Sequence, residues 1–205
     1  LSGVRTAGPG LAKALGDLAL RDGGSFVDLR PVELAPPRAP LDLGRAVAAF
    51  QEFNYGKALE HLDAGIAEAE ARGAEGLSRS ELCDLFIYRA MVKAAQGDSA
   101  AAWEDYIRAV TIDPGRHLDA VRFRPSVVAS FERAREQVAK GPQTRLSVEA
   151  PEQCKLWVDG AETPARSPWS VPSGSHLLRV ECDGYLPLVQ TLPVTGEALV
   201  HTAAP

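Results

Sequence analysis

"CKLWVDGAETPARSPWSVPSGSHLLRVECDGY", residues 154–185, opens on one cysteine, holds a second near its end, and carries three turn signals: Asp159-Gly160, Ser173-Gly174 and Asp183-Gly184. Between the turns, apolar residues alternate. Cys154, Leu156 and Val158 share a face, and so do Leu178, Val180 and Cys182. Period-two alternation between glycine turns describes antiparallel strands covered on one side, so these turns reverse the chain rather than carry chemistry. Upstream, "RLSVEA" places Leu146, Val148 and Ala150 on one face. Downstream, "LPLVQTLPV" and "EALVHTA" supply one or two further strands, at edges where prolines are tolerated. The whole of residues 144–203 reads as a small antiparallel β-sandwich. Trp157 alternates with Leu156 and Val158, so it points away from that core unless another element covers it. Cys154 and Cys182 face the core by strand parity. They form a bridge if their strands are neighbours, or remain two buried thiols.

Before this segment the periodicity changes. Over residues 41–140 the pattern is helical: Asp42 suits the N-cap of "LGRAVAAFQEF", and Ala58, Leu59, Leu62, Ile66 and Ala69 recur at helical spacing in the next stretch. Ser78 and Glu81 have capping-box spacing ahead of "LCDLFIYRAMVKAAQ". Gly97 ends that helix, "SAAAWEDYIRAVTI" makes the next, and a last one starts at Pro125, a residue favoured in a first helical turn. Residues 1–40 are expected to form a short helix ending at Gly23-Gly24, a short strand around Phe26, and an extended joint at "LAPPRAP".

Two resemblances sit on these segments. "DLFIYRAMVKAAQGDSAAAWEDYIRAVTIDP" is similar to a tetratricopeptide repeat: Ala90 at the helix contact, Gly97-Asp98 at the turn, Ala102, Tyr106 and Ala109 along the second helix, and Pro114 at the end. "AVAAFQEFNYGKALEHLDAGIAEA" resembles a weaker copy, with Ala58 aligned on Ala102. About two and a half repeats result, fewer than such stacks normally need, so another element is expected to cover an exposed end. The β segment resembles a PEGA domain, with Pro151-Glu152-Gln153-Cys154 where the naming motif stands. "LWVDG", Ser167-Pro168, "PSGSH" and Asp183-Gly184-Tyr185 follow in the family's order. The expected architecture is α+β: an irregular helical-hairpin solenoid followed by a small β-sandwich.

Composition narrows the function. The chain has 205 residues and a formal net charge of −5. Residues 44–140 hold 13 Lys/Arg against 15 Asp/Glu, and residues 141–205 hold 4 against 7. Nucleic-acid binding needs a concentrated basic face, which this distribution lacks. No stretch has the length of a membrane span. Starting at Leu1, the chain reads as processed or cut from something longer, so the lack of a leader or lipid anchor says nothing.

Catalytic motifs fail on context. The glycines of "AGPGLAKALG" have no preceding strand and no nucleotide-binding spacing. Ser99 in "QGDSAAAW" falls in the inter-helix turn rather than at a strand–helix elbow. His61, His117, His176 and His201 are scattered, and the three cysteines lack zinc spacing, so no metal or other cofactor is expected. Arg116, His117, Arg122 and Arg124 form the one basic cluster, read as a solvated connector.

The tetratricopeptide resemblance implies a groove lined by first helices. That nominates Phe50, Phe53, Phe86 and Tyr88 as docking residues for a protein partner in an envelope complex. The PEGA resemblance implies an extracytoplasmic, periplasmic or outer-membrane-associated module that positions the protein in an assembly. A cell-wall glycan-binding module is the alternative, and an enzyme is not expected. The short joint "AKGPQT" predicts that Trp157 packs on the last helix near Phe131 or Val138.

Overall fold

The computed structural model describes residues 43–150, 153–164, 168–196 and 199–202. The features expected in residues 1–40, and the cap at Asp42, lie outside them. Among the described residues five helices come first: α1 (Leu43–Gln51), α2 (Tyr55–Ala71), α3 (Arg79–Ala95), α4 (Ser99–Ile112) and α5 (Pro125–Lys140). Seven strands follow: β1 (Gln143–Glu149), β2 (Cys154–Val158), β3 (Ala161–Glu162), β4 (Trp169–Pro172), β5 (Gly174–Cys182), β6 (Leu188–Val194) and β7 (Leu199–Thr202). The chain is therefore α+β, with helices and strands segregated along the sequence. These elements fall within one compact unit, Arg38–Pro205. Among the described residues no helix is long and apolar enough to cross a membrane.

The helix boundaries have local causes. Between α1 and α2, Phe53 takes a left-handed φ of 58°, and Asn54 caps α2 by accepting the Lys57 N–H at 3.2 Å. At the start of α3 the Ser78 hydroxyl accepts the Glu81 N–H at 3.2 Å, while the Glu81 carboxylate accepts the Ser78 N–H at 2.8 Å. The two bonds satisfy two donors that a helix start leaves open. Gly97, at φ 90°, ends the α3 run, and Asp98 caps α4 by accepting the Ala101 N–H at 3.0 Å. Each helix packs mainly on the next in sequence. Ala58, Ala90, Ala102 and Ala109 are buried at these contacts, where short side chains let backbones approach; Leu62, Leu82, Leu85, Ile87 and Phe131 fill the space between them.

The strands form two sheets, ordered β4-β1-β7 and β3-β2-β5-β6. Leu146 and Val148 of one sheet and Leu156, Val158, Leu178 and Val180 of the other belong to one apolar cluster, the face that the alternation marks. One pairing departs from the antiparallel expectation. β7 runs parallel to β1, opposite Leu146–Glu149, while the remaining pairs are antiparallel. After β6 the chain leaves one sheet and re-enters the other beside its first strand, in the same direction. Cys154 and Cys182 stand directly opposite in the β2–β5 register and are joined by a disulfide, leaving Cys83 as the buried free thiol.

β5 is covered on both faces over residues 176–180. Leu178 and Val180 enter the cluster between the sheets, whereas Leu177 belongs to the helical core. Burying that one leucine contributes about 2 kcal/mol to holding helices and sheets together.

Candidate functional site

Two deeply buried polar groups, Asp159 and His176, lie next to the contact between helices and sheets. The β2–β3 turn places Asp159 at φ 51° and Gly160 at φ 78°, the double left-handed conformation that Asp-Gly hairpins supply. A Cβ on Gly160 would lie 2.6 Å from the Leu77 carbonyl oxygen, so the turn sits hard against the α2–α3 loop. Gly73 in the same loop leaves no room for a side chain either, with the Arg179 Cβ 2.8 Å from where its own Cβ would be. Arg79 donates to the Val158 carbonyl at 3.3 Å, and Arg108 of α4 donates to the Ser175 carbonyl.

Within this contact Asp159 is fully committed. Its Oδ1 accepts the Leu177 N–H at 2.9 Å, and its Oδ2 lies 2.6 Å from Nδ1 of His176. Nε2 of His176 donates to the Pro172 carbonyl at 2.9 Å. One carboxylate thus ties the β2–β3 turn to β5, and the imidazole extends the tie to the end of β4. Burial lowers the Arg108 pKa from its ordinary value, opposed by the nearby Asp159 and Glu70 carboxylates. The arrangement fixes three chain segments and presents no reacting atom to solvent.

The helical half has two further buried carboxylates. Asp105 is held by Arg89 at 2.7 and 3.0 Å and by Lys93 at 2.8 Å. Asp84 accepts from Arg116 at 2.6 Å, and the same guanidinium donates to the Ser80 hydroxyl at 3.2 Å. Burial raises the Asp84 pKa from its ordinary value, against the opposing pull of Arg116 and Arg122. Asp84, Asp105, Arg89 and Lys93 carry no signal in the sequence, and Arg116 and Arg122 stand out there only as part of a basic connector. His176 had a usable signal: it shares strand parity with Leu178, Val180 and Cys182, so it sits on the covered face.

The residues nominated for docking separate. Phe86 and Tyr88 are 3% and 6% exposed and belong to the helical core, which corrects their assignment to an open groove. The guanidinium carbons of Arg89 and Arg108 lie 5.3 and 5.5 Å from the centre of the Phe86 ring. Tyr88 is covered by Phe123, 6.1 Å between ring centres, and its hydroxyl accepts from Arg122 at 2.9 Å. Phe50 and Phe53 remain near the surface. Both flank Tyr55, at 5.9 and 6.3 Å, and Phe53 is 73% exposed. A bulky residue in left-handed backbone is a steric outlier, so Phe53 combines an exposed ring with local strain.

The expected Trp157 contact is also corrected. Trp157 lies on the outer face of its sheet, opposite Arg179 in the register, and the Arg179 guanidinium covers its ring at 3.9 Å. Phe131 instead meets Tyr106 edge-on at 6.3 Å inside the helical core, and Val138 packs at the margin of that core. The joint runs through the 72–79 loop and α4, because those elements reach the glycine turns. Among the described residues no three His, Cys, Asp or Glu side chains gather as a metal site. Comparison with family models, curated proteins and solved structures finds no match to this chain.

Proposed function

We propose that the protein is a non-catalytic scaffold of the cell envelope, in which tetratricopeptide-type hairpins dock a partner protein and a PEGA-type β-sandwich positions them in a larger assembly. The helix pairs α1–α2 and α3–α4, joined by tight turns, support the solenoid reading. The apolar cluster shared by two sheets supports the sandwich. A disulfide across β2 and β5 suits an oxidising compartment outside the cytoplasm. The buried carboxylates are committed to joining elements, which favours a body built to hold shape.

The observation that carries the docking reading is Phe53, an exposed ring in left-handed backbone braced by Tyr55. Such a residue costs about 1 kcal/mol in backbone strain, and a partner that uses the ring gives that strain a purpose. Phe53→Gly tests this, since glycine removes ring and strain together. Relative to the unaltered protein, the variant is expected to melt at an equal or higher temperature and to lose at least one specific partner from an envelope-extract pull-down. Unchanged capture overturns the docking role of Phe53. Co-sedimentation with purified cell wall, at equal strength for both proteins, would instead favour glycan binding by the β half.

A further inference from the structure

Residues 113–124 connect α4 to α5 by crossing α3, and they do so without regular secondary structure. Their attachment to α3 is through side chains. Arg116 binds Asp84 and Ser80, Arg122 binds the Tyr88 hydroxyl, and the Phe123 ring packs on Tyr88, with Leu118 buried beside them in the helical core. The backbone hydrogen bonds of residues 114–124 among the described residues are local, such as Arg122 and Phe123 donating to Asp119 O. Val121, at the outer bend, is 96% exposed. This connector holds the basic cluster of the chain, and it covers the face of α3 that carries Ser80, Asp84 and Tyr88.

We propose that residues 113–124 are a releasable strap over α3, and that the face beneath binds a partner segment carrying an arginine followed six and seven residues later by an arginine and an aromatic residue. The spacing is that of Arg116, Arg122 and Phe123 in the strap itself. The chemistry follows from Asp84. Arg116 forms the salt bridge to this carboxylate, so removing the strap without replacement leaves a buried charge unpaired. Whatever displaces the strap must bring a cation to Asp84 and a flat ring to Tyr88. A side-chain clip has no ladder of backbone bonds to break before it opens, unlike the strands of the sheets.

This inference rests on the reading of the chain as a docking scaffold and adds a second site with its partner chemistry. The test uses the full chain and a fluorescein-labelled peptide of residues 113–125, "DPGRHLDAVRFRP". Arg116→Ala with Arg122→Ala unclips the strap. Peptide affinity is expected to rise at least tenfold over that for the unaltered chain, a scrambled peptide should gain nothing, and adding Asp84→Asn should cancel the gain. No gain in a variant that keeps its helical circular dichroism overturns the strap. If the double variant does not fold, hydrogen exchange of the unaltered chain decides. Amides 116–123 exchanging at least a hundredfold faster than 82–90 support release, and equal protection overturns it. Because the pull-down through Phe53 does not involve the strap, docking stands or falls separately.

Discussion

Asp159 and Asp84 are both buried carboxylates with a basic partner, but they are built into the molecule differently. Asp159 divides its oxygens between an imidazole and a backbone amide, with both partners in the β half and equally buried. Asp84 relies on a long arginine that reaches in from an irregular connector and remains partly exposed. The first arrangement locks backbone to backbone and admits no substitute partner. The second depends on one guanidinium brought in from the connector. The β half is thus tied together from inside, whereas the helical half is clipped from outside.

Asp159→Ala is the strongest way to break this contrast. It strands both the His176 ring and the Leu177 amide, and should cost about 3–5 kcal/mol, read as a fall in denaturant midpoint. A loss below about 1 kcal/mol would put Asp159 on the same footing as a surface acid. Replacing Cys154 and Cys182 together by serine should cost about 3 kcal/mol through the freed chain between them. Thiol counting on denatured, unreduced protein should find one free thiol, that of Cys83. Arg116→Ala comes next, at about 1–2 kcal/mol, because Asp84 is left buried without its cation. A loss as large as that of Asp159→Ala would erase the distinction between lock and clip.

The smallest effect concerns Glu81. Its pKa is lowered by the bonds from the Ser78 hydroxyl and amide. A carboxylate whose folded-state pKa lies below its unfolded one stabilises the protein above the unfolded value, near 4.3, and that contribution disappears as pH falls through the folded value. The stabilities of the unaltered protein and Glu81→Gln, read from their denaturant midpoints, should differ slightly at pH 7, by about 0.5 kcal/mol or less for so exposed a group. They should converge as the pH falls below the folded-state value. A gap that persists there would mean that charge is not what the cap contributes.

Much of this fold is legible in the residues. The helical spacing of Ala58, Leu62 and Ile66, the Ser78–Glu81 box and the Gly97 break mark elements that the helices follow. The alternation of Cys154, Leu156 and Val158 marks the inner face of the sheets. What does not show is whatever depends on a second cover. Leu177 and Arg179 look outward by parity, yet the helical core takes in Leu177 and the α2–α3 loop lies over Arg179. Phe86 and Tyr88 look available on α3, yet arginines and Phe123 close over them. Periodicity reports which face of an element is apolar, but it cannot report how many neighbours that element has. Of the four aromatics nominated from the sequence, Phe50 and Phe53 stay near the surface, where a local turn leaves them beside Tyr55.

The parallel pairing of β1 with β7 carries a consequence for the order of folding. Each helix finds its partner in the next helix, so the helical half can assemble as the chain is synthesised. The sheet β4-β1-β7 cannot close until residues 199–202 reach β1, some fifty positions upstream. Until then β1 has an open edge, and the inner face bearing Leu146 and Val148 lacks part of its sheet. A nascent chain stalled anywhere in β5 or β6 would therefore present finished helices beside an adhesive, half-built sheet, the state in which strand pairing with a neighbouring molecule competes best.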